Sequence, residues 1–266
     1  MSHPFLSTKI NEPKKTENAN LEFVAVLLPT YCEANNIEGL IREIENLILK
    51  VIIIVIDDYS SDKTPEIVQT LNEEYGNIIL ISRPTKLGLG TAIIDGFHYA
   101  LGLEPQPKYV VTMDSDFSHI TQDITRLVQT SKNGYNLVIG SRYVKGGRIH
   151  NWPLQRKIAS YFANILVRNA LGLKLRDCTS GFRSYSSKYL SCVLPDLHST
   201  NFEIQIETIR KANLFGFSVK EIPITFLNRK NGVSKLGSRE LFSFIIYTTK
   251  TTISNLILSF KTFFLR

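Results

Sequence analysis

Four stretches of the chain, 23–28, 51–56, 78–81 and 109–113, are mostly apolar, several of them rich in β-branched residues, with almost no polar residue within them to give an alternating pattern. A run without a polar face is the pattern of a strand covered on both sides, as in the middle of a parallel sheet. Between these runs the period changes. Ile37, Leu40, Ile41, Ile44, Leu47 and Ile48 recur at three- and four-residue spacing, which predicts a helix over 37–49 with Asn35 or Asn36 as N-cap. Asp62 stands where it would cap a helix carrying Pro65 in its first turn. A further helix is expected over 91–101, behind the glycine-containing loop 83–90. This alternation of strand and helix argues a doubly wound, mostly parallel α/β sheet.

Beyond residue 113 the pattern predicts a helix over 123–131, a strand over 137–140, helices over 155–171 and 203–212, and a late strand over 219–226 broken by Pro223. No repeat or low-complexity linker interrupts it, so one continuous domain is expected over 21–240. The polar residues 1–20 read as a flexible N-terminal arm without the apolar core of a signal peptide. The segment 241–266 is apolar, but Lys250 lies within it, and a lysine at mid-bilayer costs about 2.5–3.5 kcal/mol. Ile253, Leu256, Ile257, Phe260, Phe263 and Phe264 share one helical face. The expectation is therefore an amphipathic helical tail lying on a membrane surface or a membrane partner, with closure of the domain's own core as the alternative.

Polar residues punctuate the strands at one end. Asp57 and Asp58 follow the second apolar run, and Asp114 and Asp116 follow the fourth. Ligands of open α/β sheets bind outside the carboxyl ends of the strands. Two carboxylates turned toward one point repel unless a cation separates them, and oxygen-only ligation suits Mg²⁺ or Mn²⁺. Tyr31 and Glu33 offer an aromatic face and a carboxylate to a base and a ribose, and Asp57 an acceptor for a nucleobase N–H or ribose hydroxyl. Asp58 reads equally well as a solvated turn residue. KLGLGTA loosely resembles a glycine-rich phosphate loop.

The formal charge of +7 and pI near 9.2 favour an anionic partner. Without an RNA-binding signature, zinc pattern or long basic run, nucleic acid is set aside. Arg142, Arg148, Arg156, Arg183 and Arg229 sit beside Gly, Ser or turn residues, and the guanidinium fork is suited to phosphate. Cys32, Cys178 and Cys192 are odd in number and far apart, the usage of reduced thiols in a cytosolic compartment.

Together, LPTYCEANNI, DDYSSDKT, RPTKLGLGTA, MDSD, GSRY, DCTSGFR and FLNRKNGVSKLG resemble the polyprenyl-phosphate sugar synthases of glycosyltransferase family 2, most closely those that act on dolichyl phosphate. The motifs occur in order from Val24 to Gly237. The resemblance implies a GT-A fold and transfer of mannose from GDP-mannose to dolichyl or another polyprenyl phosphate, with inversion and with Mg²⁺ or Mn²⁺. It places the nucleotide at Pro29, Tyr31, Glu33 and Asp57 and the metal at Asp114 and Asp116. Ser118 holds the position where some relatives carry a Gln that completes the metal site. The acceptor phosphate is assigned to Arg142, Arg156 and Ser160, of which the last two share a helix face at i, i+4. Arg229 and Lys235 match a loop that closes over the donor diphosphate. The usual DGT is DKT here, with Lys63 in place of Gly.

The resemblance further implies a peripheral enzyme on the cytosolic face of a membrane, the endoplasmic reticulum or a prokaryotic plasma membrane, with small membrane-anchoring subunits as possible partners. The alternatives are transfer of glucose or another sugar to polyprenyl phosphate, a nucleotidyltransferase that makes nucleotide sugars, and a non-catalytic subunit that binds nucleotide sugar.

Overall fold

The computed structural model describes residues 23–228, 247–249 and 251. Its first half alternates as expected: β1 (Val24–Thr30), α1 (Ile37–Glu45), β2 (Val51–Asp57), α2 (Thr64–Tyr75), β3 (Ile78–Ser82), α3 (Leu89–Leu101) and β4 (Tyr109–Thr112). The second half adds α4 (Asp123–Lys132), β5 (Leu137–Ser141), β6 (Arg148–Ile149), α5 (Leu154–Leu171), β7 (Arg183–Ser186), α6 (Ser187–Val193), α7 (Ile204–Leu214), β8 (Val219–Pro223) and β9 (Thr225–Phe226). The strands form one sheet in the order β3-β2-β1-β4-β7-β5-β8, with β6 and β9 pairing apart from it. Only β7 runs antiparallel to its neighbours β4 and β5.

The unbroken apolar runs follow from helices on both faces. Along β1, Ala25 and Leu27 join a core with Ile93 and Phe97 of α3 and Ile206 and Ile209 of α7. Val24, Val26 and Leu28 join the opposite core with Ile37, Leu40 and Ile41 of α1 and Leu127 of α4. Every position of such a strand faces a helix, and burying each Val, Leu or Ile contributes about 1.5–3 kcal/mol.

Differences from the expected elements have local causes. Helix α1 ends at Glu45, before Leu47, and Ile48 is fully exposed, because the chain turns there to enter β2. The late strand divides at Pro223, and the two pieces join different sheets. Strand β7 escapes the hydrophobic pattern because it reads RSYS, yet Arg183 and Ser184 are completely buried. Arg183 is neither a surface charge nor a phosphate ligand. Its guanidinium donates to the carbonyls of Ser180, Gln205 and Cys178 and to Thr208 Oγ1, bracing the DCTSGFR turn from beneath.

The arm 1–20 lies outside the described residues, as does most of the tail. Of the tail, Tyr247–Thr249 and Thr251 are helical, and Tyr247 packs against the α3 side of the core. Among the described residues no helix is long and apolar enough to cross a membrane. The cysteines are free.

Candidate active site

The chain passes outward from β1 through β2 to β3, then returns to place β4 on the other side of β1. Strand order reverses between β1 and β4, and a crevice opens at such a point because the connecting loops diverge. A cavity of about 380 Å³ lies there. It is lined by Pro29 near the end of β1, Tyr31 and Glu33 from the loop after β1, Asp114 and Asp116 from the loop after β4, and Arg142, Trp152, Arg156 and Ser160 from the second half of the chain. Eight of the residues expected at the site thus share one cavity.

The loops that build it are bent where ordinary residues resist bending. Cys32, Tyr59, Phe117 and Asn151 have positive φ, between 55° and 67°, and each directly follows or precedes a lining residue. A side chain other than glycine in this region costs on the order of 1–3 kcal/mol, and such conformations concentrate at functional sites. Phe117 at φ 59° folds the DSDFS segment back on itself, and both carboxylates reach the cavity.

Asp114 leaves its side chain 44% exposed, whereas Asp116 is buried. Ser118 does not line the cavity. Its backbone N–H and hydroxyl both donate to Asp116 Oδ1, so it orients the carboxylate instead of filling the third ligand position. His119, held between Phe182 and Phe226, brings Nε2 to 3.3 Å from Asp114 Oδ2. Among the described residues no third Asp, Glu, His or Cys completes a metal cluster. Two hard oxygen donors on a cavity wall nevertheless fit a Mg²⁺- or Mn²⁺-type cation, which commonly takes its remaining ligands from water and phosphate oxygens.

Asp57 is also placed differently from the expectation. It is buried outside the cavity lining, accepting from the Ser60 N–H and hydroxyl and from Thr30 Oγ1. It shapes the turn after β2, whereas its neighbour Asp58 lines the cavity. The DKT variation leaves the next turn intact. Asp62 accepts from Thr64 N–H and hydroxyl through one oxygen and from Ala34 N–H through the other, tying this turn to the loop after β1. Glu33 accepts from Asn36 Nδ2 at 2.8 Å.

On the cationic wall, Arg156 lies with its guanidinium carbon 3.9 Å from the centre of the Trp152 ring, a stacking geometry that fixes the fork. Ser160 accepts from Tyr143 Oη at 2.8 Å. Arg142 is buried and pairs with Asp177 at two points, Nε to Oδ2 and Nη2 to Oδ1, both 2.8 Å. Burial works against both charges, but their mutual attraction outweighs it: Arg142 is held above its ordinary pKa and Asp177 below. Arg148 is exposed on β6, away from the lining. Arg229 and Lys235 lie outside the described residues.

Sequence reasoning missed Trp152, Lys86, Thr179, Asn201 and Phe202 as lining residues. Lys86 lay in the motif RPTKLGLGTA and Thr179 in DCTSGFR, whereas Trp152, Asn201 and Phe202 lay in none.

The model of glycosyl transferase family 2 matches residues 25–194. A polyprenol monophosphomannose synthase of Mycolicibacterium smegmatis is 36% identical over 81% of this chain and 82% of its own. A dolichol-phosphate mannosyltransferase of Pyrococcus furiosus is 37% identical over 84% of this chain and 61% of its own. Among solved structures, glucosyl-3-phosphoglycerate synthase from Mycobacterium tuberculosis, in complex with Mn²⁺, UDP and glucosyl-3-phosphoglycerate, superposes with a TM-score of 0.63 over 88% of this chain and 79% of its own, at 20% identity. With a GT-A-like sheet, a cavity at its switch point and a family match over most of its length, this chain belongs to glycosyltransferase family 2.

Proposed function

We propose that the chain transfers mannose from GDP-mannose to a polyprenyl phosphate such as dolichyl phosphate, with inversion at the anomeric carbon and with Mg²⁺ or Mn²⁺. The observation that carries this reading is that one cavity is lined both by the Asp114 and Asp116 carboxylates and by Arg142 and Arg156. The names of the two relatives that match over most of the chain supply the sugar and the lipid phosphate.

The chemistry fits a site without a dedicated base. A phosphate monoester, with a second pKa of about 6, is already anionic at neutral pH. The acceptor oxygen attacks the anomeric carbon as the donor's bond to its diphosphate breaks, and no proton needs to leave. The work of the protein is to hold two anions together against their repulsion. Arg156, fixed on Trp152, and Arg142, fixed on Asp177, draw in the acceptor phosphate. Asp114 and Asp116 would hold a divalent cation, which would supply charge neutralisation at the donor diphosphate as it leaves.

The outer face of α5 fits an acceptor delivered from a membrane surface. Leu154, Ile158, Tyr161, Phe162 and Leu166 stand exposed along it, beside the face that carries Arg156 and Ser160. Large exposed apolar patches mark interaction sites.

A radiolabel transfer assay tests the proposal, using purified protein, dolichyl phosphate and GDP-mannose, with Mn²⁺ or EDTA, and UDP-glucose as the competing donor. Metal-dependent label in the lipid from GDP-mannose is expected. Label from UDP-glucose alone would replace mannose with glucose. An α-linked product from the α-linked donor would overturn inversion.

A further inference from the structure

Helix α5 carries Arg156 and Ser160 to the cavity, yet little of it is packed. Of its 18 residues only Asn164 and Val167 are buried. Arg156 lies two helical turns before Asn164, about 12 Å along the axis, so a small swing about the buried turn displaces its guanidinium. The apolar contact of Val167 has no preferred direction, and holding the helix at one angle calls for directional bonds.

Asn164 makes them. It is 3% exposed, at a position where an ordinary core would place an apolar side chain. Its Oδ1 accepts from the Cys178 backbone N–H at 2.7 Å. Its Nδ2 donates to the Ser160 carbonyl at 2.9 Å and to Thr179 Oγ1 at 3.1 Å. A backbone N–H can only donate and a carbonyl can only accept, so the orientation of the amide is fixed, and a carboxylate could not take its place. Thr179 Oγ1 also accepts from Arg142 Nη2 at 2.7 Å and donates to Asp177 Oδ1 at 3.3 Å. A continuous relay therefore runs from Arg142 through Thr179 and Asn164 to Ser160, joining the DCTSGFR turn to α5.

We infer that Asn164 is a positioning residue for the acceptor: it fixes the spacing between Arg142 and the face of α5 that carries Arg156 and Ser160, and thereby the affinity for the phosphate monoester. The inference rests on the polyprenyl-phosphate reading above. Asn164 does not itself line the cavity, so its effect reaches the acceptor through the two elements that it joins. Holding these elements in place before binding removes their ordering cost from acceptor affinity. The Asp114 and Asp116 loop lies outside the relay, and donor affinity is left unchanged.

The test compares the wild type with Asn164→Asp, which keeps the size and the acceptor but loses both donors, and with Asn164→Ala, which loses all three bonds. It reads KM for dolichyl phosphate, KM for GDP-mannose and calorimetric affinity for GDP. Each variant is expected to raise the acceptor KM about tenfold, the equivalent of about one net hydrogen bond, with donor KM and GDP affinity within about twofold of wild type. Thr179→Val cuts the same relay one link away. Combined with Asn164→Ala, it should give an acceptor KM well below the product of the two single effects, because both changes interrupt one path. The inference is overturned if the acceptor KM of a folded Asn164 variant equals that of the wild type, or if the two changes multiply as independent ones do. It is equally overturned if donor and acceptor constants rise together as thermal stability falls, the mark of a merely structural side chain. Should Asn164→Asp fail to fold, Asn164→Ala decides alone. A wild type that transfers label to dolichyl phosphate from neither GDP-mannose nor UDP-glucose overturns the polyprenyl-phosphate reading and this inference with it, and is told apart because it shows before any variant is compared.

Discussion

Arg142 and Asp177, thirty-five positions apart in the chain, meet in a buried ion pair in which one carboxylate accepts from the Arg142 backbone N–H at 2.9 Å and from its guanidinium at two points. Asp177 also accepts from the backbone N–H of Thr179 and Ser180. One buried acid thus fixes the cationic wall of the cavity and the turn of the DCTSGFR motif together.

Removing one partner of such a pair leaves an uncompensated charge, which costs about 3–5 kcal/mol. Asp177→Ala is expected to lose about that much stability in urea unfolding, more than Arg156→Ala, whose side chain is only partly buried. The pH dependence has a definite sign. Asp177 is held below its ordinary value in the folded protein, so its contribution is present above the unfolded-state pKa and is lost as pH falls through the folded value. Asp177→Asn should flatten the acid limb of a stability–pH curve; an unchanged limb would assign that limb to other groups.

Asp116 is the more deeply buried of the carboxylate pair. Asp116→Asn is expected to lower turnover at least about 100-fold, the range seen when a group stabilising transition-state charge is removed. With GDP present, Mn²⁺ should raise the melting temperature of the wild type and not that of the variant. Ser118→Ala, which removes the hydroxyl bond to Asp116 Oδ1 but keeps the backbone N–H bond to it, should fall between the two. An Mn²⁺ response in Asp116→Asn equal to wild type would place the cation elsewhere.

Arg156 depends on the planar fork that stacks on Trp152. Lysine keeps the charge but neither the fork nor the stack. Arg156→Lys and Trp152→Leu should both raise the acceptor KM, by about tenfold or more for the first, with donor KM little changed. Equal effects on donor and acceptor would refute the division of the cavity into two subsites.

Cys178 is buried, and burial pushes its thiol up to about 12 from an ordinary value of 9.0. Cys32 and Cys192 are exposed. A thiol reagent at pH 8 should therefore modify two cysteines in the native protein and all three after denaturation. Because the folded-state value is raised, the thiol's contribution is complete below about pH 9 and is lost as pH rises toward 12. Cys178→Ala should blunt that alkaline decline, and a native Cys178 that reacts at pH 8 would contradict its placement.

The core of the fold was open to reading because each central strand is a short run of residues that serve only to be buried. The sequences 23–28 and 51–56 carry that information locally. Of the expected cavity residues, Asp114 and Asp116 were legible for a related reason, since they follow a strand whose end sends them to one rim; Arg142, Arg156 and Ser160 were implied by the family resemblance, with the last two one helical turn apart. Strand β7 was not legible. Arg183 and Ser184 look exposed by composition, and only carbonyls contributed by residues 178–205 make a buried guanidinium acceptable there.

The same distinction separates Asp57 from Asp58. Adjacent acids at the end of a strand are equivalent as letters, and the reading that gave Asp57 to the ligand and left Asp58 open had no means of knowing which one would meet partners from another loop. The sequence by itself determined the α/β class, the strands that run through the core, the rim where ligands gather and the family. Only the tertiary structure decided that Ser118 clamps Asp116, that Asp177 anchors Arg142, and that Asp58 accepts from the Leu87 and Gly88 N–H groups of the loop before α3. The reason is physical: burial and periodicity act between neighbours along the chain, whereas the hydrogen-bond partners of a buried charge come from wherever the folded chain brings an N–H or a guanidinium within about 3 Å.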